Sequence, residues 1–164
     1  MTRDPIREAH RQWVAHGWTD AADGMAMVTS LVRVHQLLQA RIDAVLRPHD
    51  LTFARYEVLR LLAFSSRQEL PMARVGSLLQ VHPASVTSAV TRLEAQGFVT
   101  RTRGEEDRRL VLAAITTAGR EVVEKATVGL NATVFAQPGL SADEVDALTA
   151  ALTRLRAAAG DPVN

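Results

Sequence analysis

Residues 82–119 decide the fold of this chain and read HPASVTSAVTRLEAQGFVTRTRGEEDRRLVLAAITTAG. Pro83 suits the first turn of a helix, where its missing N–H costs nothing, and Gly97 is a typical helix stop. After Gly97 the helical period gives way to two strand-like runs, 98–103 and 109–115, around a polar turn. The stretch therefore predicts a helix followed by a β-hairpin.

Two further helices are predicted upstream of this stretch. Thr52 is a good N-cap for a helix that ends near Phe64, and a polar loop over 65–69 leads to a shorter helix near Met72–Leu79. A tight connection then precedes Pro83. Helix, short helix, tight turn, helix and hairpin form a winged helix-turn-helix, which we assign to residues 50–116.

The N-terminal part predicts two helices. The first covers Ile6–Val14 and stops near Gly17, and the second covers about Ala22–Leu46, with Asp20 as its cap. On the second helix, apolar residues recur at steps of three and four and form one stripe: Leu31, Val34, Leu38, Ile42 and Val45.

The C-terminal part predicts two more helices. Thr116 or Thr117 caps a helix that runs to about Phe135, and Ser141 with Glu144 has the spacing of a capping box for the last helix. The last helix carries a second apolar stripe, formed by Val145, Leu148, Leu152 and Leu155. We expect residues 157–164 to fray.

Both apolar stripes need partners, because a lone helical hairpin could cover only part of them. Residues 1–49 and 117–164, on either side of the winged domain 50–116, are therefore candidate dimerisation helices. The predicted fold class is mainly α with a small β-hairpin, a winged helix-turn-helix domain plus a helical dimerisation region.

Composition limits the other classes of protein. The 164 residues have a formal net charge of +1 and include no cysteine, which excludes disulfides, thiolate catalysis and Cys-ligated zinc. No apolar run approaches the ~20 residues that span a bilayer, and the N-terminus lacks the apolar stretch of a secretory signal. We expect a cytoplasmic protein without membrane association.

Catalytic and metal-binding patterns are weak. The five histidines, His10, His16, His35, His49 and His82, never occur at the i, i+4 spacing of a helical metal site. There is no Gly-rich phosphate loop and no evident nucleophile–base pair. We expect no metal, no cofactor and no enzymatic activity.

The helix over residues 83–96 has two distinct faces. Val86, Val90 and Leu93 can pack inward. The other face and the helix start carry small polar groups and one arginine, which suit entry into a DNA major groove ~12 Å wide. The residues that we assign to this contact are His82, Pro83, Ser85, Thr87, Ser88, Thr91 and Arg92. The alternative is an ordinary surface helix, which normally carries more Glu and Lys.

The hairpin carries the second set of candidate DNA contacts. They are Arg101, Arg103, Asp107, Arg108 and Arg109. Arginine at a wing tip can enter the narrow minor groove, and Asp107 is placed to hold the Arg109 guanidinium by a bidentate pair. The alternative is a solvated loop of mixed charge, which Glu105 and Glu106 fit better.

These residues also resemble a known family. Asp107-Arg108-Arg109, leading through Leu112 to Thr116-Thr117-Ala118-Gly119, resembles the wing signature of the multiple-antibiotic-resistance regulator (MarR) family. Val86-Thr87, and Arg92-Leu93-Glu94 before Gly97-Phe98-Val99, are similar to the family pattern as well. The likeness is closest over residues 51–125, and the helical plan extends it to nearly the whole chain.

The resemblance implies a homodimer that binds a pseudo-palindromic operator in double-stranded DNA, by default as a repressor. Recognition helices would enter successive major grooves, and Arg109 would be the minor-groove arginine. A winged-helix module that binds another protein instead of DNA is the alternative.

The resemblance further implies release by a small aromatic or carboxylic effector. The candidate pocket residues are Trp13, His16, Trp18, Arg55 and Tyr56. The N-terminal extension resembles a urate-responsive branch of the family, from which Glu57 and Ala89 depart where Asp and Arg are expected. The alternative is that the aromatic residues only pack the extension onto the core.

Overall fold

The computed structural model describes residues 4–104, 107 and 109–163. Within these residues the chain forms seven α-helices and one three-stranded antiparallel sheet. The helices are α1 (Pro5–Ala15), α2 (Thr19–Leu46), α3 (Phe53–Phe64), α4 (Met72–Leu79), α5 (Pro83–Ala95), α6 (Thr117–Leu130) and α7 (Ala142–Ala158). The strands are β1 (Glu69–Pro71), β2 (Val99–Arg103) and β3 (Val111–Ile115), and the sheet order is β1-β3-β2.

Side-chain caps define several helix starts at the predicted residues. The Thr52 hydroxyl accepts from the Arg55 amide at 3.3 Å, and the Thr116 hydroxyl accepts from the Gly119 amide at 3.0 Å. Ser141 and Glu144 form the reciprocal capping box at the start of α7. Each cap satisfies an amide that the first turn of a helix leaves unpaired.

The boundaries of α2 and α6 differ from the prediction. α2 begins at Thr19, so Asp20 lies within its first turn rather than at the cap. α6 ends at Leu130 and continues as a π-helical segment over Asn131–Phe135. Arg41 holds this segment, because its guanidinium donates to the carbonyl oxygens of Thr133 and Gln137.

Two segments predicted as irregular are ordered. β1 begins at the last residue of the predicted 65–69 loop and pairs with β3, with Glu69 opposite Ala114 and Pro71 opposite Leu112. Only three residues long and ending in proline, β1 has no alternating pattern that the sequence could display. Within the segment 157–164, which was expected to fray, residues 157–158 complete α7 and residues 159–160 form a hydrogen-bonded turn.

The hydrophobic core lies between the second half of α2, the helices α3 to α6 and the sheet. Leu59, Leu62, Leu93 and Leu130 are completely buried in it. α6 approaches the hairpin so closely that a Cβ at Gly119 would overlap the Phe98 carbonyl oxygen. This close approach fixes the first turn of α6 against the start of β2.

The two ends of the chain lack such a core. α1 packs on α2, but no residue of α1 or α7 is buried. The apolar side chains left exposed on α2 and α7 are Met27, Val28, Leu31, Val32, Val34, Leu37, Leu38, Leu148 and Leu155. No helix in the described part of the chain combines the length and apolar character needed to cross a membrane.

Candidate nucleic-acid interface

α5 is held by its apolar side and presents a polar side to solvent. Val86, Val90 and Leu93 are buried, whereas the side chains assigned to DNA contact are exposed: His82, Pro83, Ser85, Thr87, Ser88, Thr91 and Arg92. The two faces therefore lie as the sequence predicts, and their contact with DNA is a proposal.

His82 has a structural role in addition to its place on this surface. Its Nδ1 accepts from the Ala84 amide at 3.2 Å, which makes His82 the N-cap of α5. Pro83 follows at the first helical position, where the fixed φ of proline favours the helix. His82 and Pro83 together determine where the exposed face of α5 begins.

A groove of about 790 Å³ separates the polar face of α5 from the start of α3. Its lining includes Thr52, Arg55, Ser85, Ser88, Arg92 and Gln96. Gln96 crosses the groove at its base, because its amide nitrogen donates to the Asp50 carbonyl at 2.7 Å and its amide oxygen accepts from Arg55 at 2.8 Å. These bonds attach the end of α5 to the start of α3.

The wing is the β2–β3 hairpin, and its turn closes by backbone hydrogen bonds. The Gly104 amide donates to the Leu110 carbonyl at 2.9 Å, and the Leu110 amide donates to the Asp107 carbonyl at 3.0 Å. The Asp107 side chain accepts from the backbone amide of Arg109 at 2.9 Å. Arg103 and Arg109 are exposed on the two sides of this turn.

The predicted guanidinium pair between Asp107 and Arg109 is wrong, since no ion pair among the described residues joins these two side chains. Within the closed turn, the Asp107 carboxylate instead accepts from the amide two residues on, as in an Asx turn. Asp107 therefore orders the backbone that carries Arg109. Arg108, Glu105 and Glu106 lie outside the described residues.

Arg101 joins the wing to α5. Its Nε and Nη2 lie 2.9 and 2.6 Å from the same carboxylate oxygen of Glu94. The hydrogen bond from Arg101 holds the pKa of Glu94 below its usual range. Because both side chains remain partly exposed, the pair contributes more to the relative orientation of β2 and α5 than to stability.

The five pocket candidates fall into two separate groups. Trp13, His16 and Trp18 cluster where α1 meets α2, with Trp18 5.4 Å from the Trp13 ring and stacked 5.5 Å from His16. Arg55 and Tyr56 lie on α3, where Arg55 bonds to Gln96 and the Tyr56 hydroxyl lies 3.0 Å from the Thr127 hydroxyl. Within one chain these contacts do not bring the two groups together.

A polar network joins α3 and α6 that the sequence does not predict. Arg60 donates to the Thr127 hydroxyl at 3.1 Å and to the Glu124 carboxylate at 2.6 Å, and it lies over the Phe64 ring. The Arg60 hydrogen bond lowers the pKa of Glu124. These hydrogen-bond partners lie more than sixty positions apart in the chain. Local sequence patterns do not pair such residues, and only the folded structure shows the network.

Among the residues that the structure describes, no group of three or more His, Cys, Asp or Glu side chains is arranged to hold a metal ion.

The sequence and the fold match known proteins. The sequence model described as MarR family matches residues 49–110. The organic hydroperoxide resistance transcriptional regulator of Bacillus subtilis (strain 168) is 32% identical over 106 residues, which cover 65% of this chain and 70% of that protein. The crystal structure of Sco5413, a MarR family transcriptional regulator from Streptomyces coelicolor, is 47% identical, covers 85% of this chain and 96% of that one, and superposes with a TM-score of 0.76.

The chain belongs to the MarR family of transcriptional regulators. A further MarR family member from Streptomyces coelicolor, Sco3205, was crystallised in complex with DNA. It is 26% identical, with coverage of 83% of this chain and 87% of that one and a TM-score of 0.71. The predicted family and the predicted mainly α fold with a winged helix are thus confirmed.

Proposed function

We propose that this MarR family chain binds a pseudo-palindromic operator as a homodimer and represses transcription. The observation that carries the proposal is an exposed face of small polar residues on α5 that the Glu94–Arg101 pair joins to an arginine-bearing wing. Sequence-specific readout needs both parts, since base edges are read in the major groove while the backbone and minor groove set the register.

The polar face of α5 is suited to the major groove. Ser85, Thr87 and Ser88 are exposed and short, so the helix can approach base edges closely. Arg92 adds a guanidinium one turn further along, where it can contact a base or a phosphate. The Thr87 hydroxyl already donates to the Pro83 carbonyl at 3.1 Å, so it remains available to DNA as an acceptor.

The wing is suited to the minor groove. Arg103 and Arg109 flank the turn, and the Asp107 bond to the Arg109 amide restricts the backbone from which Arg109 projects. A narrow minor groove has a strongly negative potential that attracts guanidinium groups. Arg108 belongs to the same proposed surface by its position in the sequence. Arg101, already paired with Glu94, contributes by holding the wing in place.

The exposed apolar surfaces support the proposed homodimer. Leu31 and Leu38 on α2, and Leu148 and Leu155 on α7, are 38 to 45% exposed in the single chain. Exposed apolar stripes of this kind are typical of an interface between subunits. We assign residues 1–49 and 117–164 to dimerisation and residues 50–116 to DNA binding. Two-fold symmetry then places two α5 helices on two half-sites, and a bound dimer excludes polymerase from the promoter.

We also propose release of DNA by a small aromatic or carboxylic effector. The relative from Bacillus subtilis is named for organic hydroperoxide resistance, but peroxides act reversibly on cysteine thiolates and this chain has no cysteine. We therefore propose non-covalent binding, in which Trp13, His16 and Trp18 of α1 and α2, or Arg55 and Tyr56 of α3, contact the effector.

Selection of genomic fragments by the purified protein tests the proposal. We expect fragments that share an inverted repeat, bound with a log–log salt slope of about −0.9 per phosphate contacted. A panel of aromatic carboxylic acids should then lower the affinity for those fragments. Failure to prefer any fragment over random duplex would favour the protein-binding module instead.

A further inference from the structure

The segment after α7 forms a compact turn, which we call the C-terminal hook and define as residues 156–162. Gly160 has a φ of +84° and ends the helix, and the Asp161 amide donates back to the Arg156 carbonyl at 3.0 Å. The Arg156 Nε lies 2.5 Å from the Asp161 carboxylate. Backbone and side chain therefore close the same short loop, as in a Schellman-type helix end.

The hook contacts the connection between α4 and α5 through one side chain, that of Gln80. The Gln80 amide oxygen accepts from Arg156 Nη2, and its amide nitrogen donates to the Pro162 carbonyl, each at 3.3 Å. Among the hydrogen bonds of the described residues, these two alone join residues 141–163 to residues 50–116.

Gln80 occupies the position that orients the start of α5. It ends α4 in the left-handed conformation, with φ of 54° and ψ of 40°, and it lies two residues before the N-cap His82. A side chain with a Cβ adopts this conformation at a cost in free energy, so contacts of the side chain help to maintain it. A change at Gln80 therefore alters the direction in which the polar face of α5 begins.

We propose that the C-terminal hook positions the recognition helix by holding Gln80, with Arg156 as the positioning residue. This inference rests on the proposed function, since it concerns how well α5 reads DNA. α7 carries the apolar stripe that we assign to dimerisation, and Arg156 follows Leu155 of that stripe directly. The hook thereby couples the geometry of the dimer interface to the helix that contacts base edges.

The experiment compares Arg156→Ala, Gln80→Ala, the double variant and Arg154→Ala. Arg154 is a matched control, because it lies exposed on the same helix and has no hydrogen bond or ion pair among the described residues. Each protein is measured against a fragment that the wild type selects from genomic DNA and against random duplex of the same length. Gln80→Asn is a second variant that tolerates the left-handed conformation but is too short to reach both partners.

We expect Arg156→Ala, Gln80→Ala and Gln80→Asn each to lower the ratio of selected to random affinity about three- to tenfold. This is the effect of losing one hydrogen bond whose groups can bond to water instead. The double variant should lose no more than either single variant, because both break the same contact. Arg154→Ala should keep the wild-type ratio. Amide hydrogen exchange at residues 80–82 and 84 should become faster in Arg156→Ala and stay unchanged in Arg154→Ala.

If the wild type prefers its selected fragment, two outcomes would overturn the coupling between the C-terminal hook and α5 but not the proposed function. One is a ratio of selected to random affinity in Arg156→Ala equal to that in Arg154→Ala, and the other is unchanged amide exchange at residues 80–82 and 84. A wild type without preference for any fragment overturns the proposed function, and the coupling to DNA reading with it.

Discussion

The winged-helix body, which we define as residues 42–135, buries its apolar side chains within one chain. The terminal helices, which we define as α1, the part of α2 before residue 42 and α7, do not. In the body, Leu59, Leu62 and Leu93 are completely buried by neighbours from the same chain. On the terminal helices, Val34 and Leu148 remain 49% and 45% exposed although they belong to regular apolar stripes. The body completes its apolar core within one chain, whereas the terminal helices leave apolar surface for a second copy to cover.

The difference indicates where each region takes its stability. Burial of a leucine stabilises a fold by roughly 1.5–3 kcal/mol relative to exposure, so a stripe left in solvent forgoes most of that gain. The body should therefore hold its shape in a single chain, whereas α7 depends on a second copy. The four predictions below test this contrast from the largest expected effect to the smallest.

Gly119→Ala should break the packed region. The added Cβ overlaps the Phe98 carbonyl oxygen and lies 2.8 Å from Ile115 Cγ1, so the backbone must move. We expect a loss of about 3 kcal/mol or more in the free energy of unfolding, measured by chemical denaturation. Gly24→Ala is the matched control, because nothing lies within 4 Å of its new Cβ. Equal stability of the two variants would contradict the close approach of α6 to the hairpin.

The double variant Leu148→Glu with Leu152→Glu should disrupt the dimer interface on α7 without changing the packing of the body. Two carboxylates in an apolar interface weaken dimerisation by at least about 2 kcal/mol, seen as monomer or unfolded chain by light scattering. Ala147→Glu with Ala150→Glu adds the same charge on the opposite side of α7 and should leave the dimer intact. A well-folded dimer from the leucine variant would show that the interface lies elsewhere.

Arg109→Ala should separate stability from function within the body. Arg109 is exposed, and its guanidinium has no ion-pair partner among the described residues, so the free energy of unfolding should stay the same. Operator affinity should fall by about 1–3 kcal/mol, measured by fluorescence anisotropy. Arg154→Ala on α7 controls for the loss of one charge. An unchanged affinity would remove Arg109 from the proposed minor-groove contact.

Glu57→Gln should sharpen the contrast by removing a charge from the packed side of α3. Burial raises the pKa of Glu57, so ionisation in the folded chain costs stability as pH rises from about 4 through that raised pKa. Above this window the wild type carries the full penalty, and the glutamine variant should be more stable by less than about 1 kcal/mol. Denaturation from pH 4 to 8 checks this, with exposed Glu121→Gln as control. A gain that is the same at every pH would contradict the ionisation argument.

The sequence predicted most of the fold because the deciding signals act over a few residues. Thr52, Thr116 and the pair Ser141–Glu144 cap the helices that they were expected to cap. α4 has the predicted bounds Met72–Leu79. The sequence pattern did not predict β1, whose three residues form a strand only because β3 pairs with them. The inward and outward faces of α5 followed from a period of 3.6 residues.

The site was predictable in composition but less so in geometry. The sequence pattern predicts the same role for Arg101, Arg103 and Arg109, yet the structure pairs Arg101 with Glu94 and leaves the other two exposed. The pattern also predicts a guanidinium partner for the Asp107 carboxylate, which in the structure accepts from a backbone amide. An aspartate has both options within reach, and only the closed turn selects one.

By itself, the sequence determined which segments are helices, where most of them begin and which of their faces are apolar, because caps and periodicity depend on neighbours within one or two turns. Only the tertiary structure decided the contacts across the chain, such as Gln96 with Asp50, Arg60 with Glu124 and Gln80 with Arg156. Their partners lie 46 to 76 positions apart. No local preference encodes such pairs, because their free energy exists only once packing has brought the two side chains together.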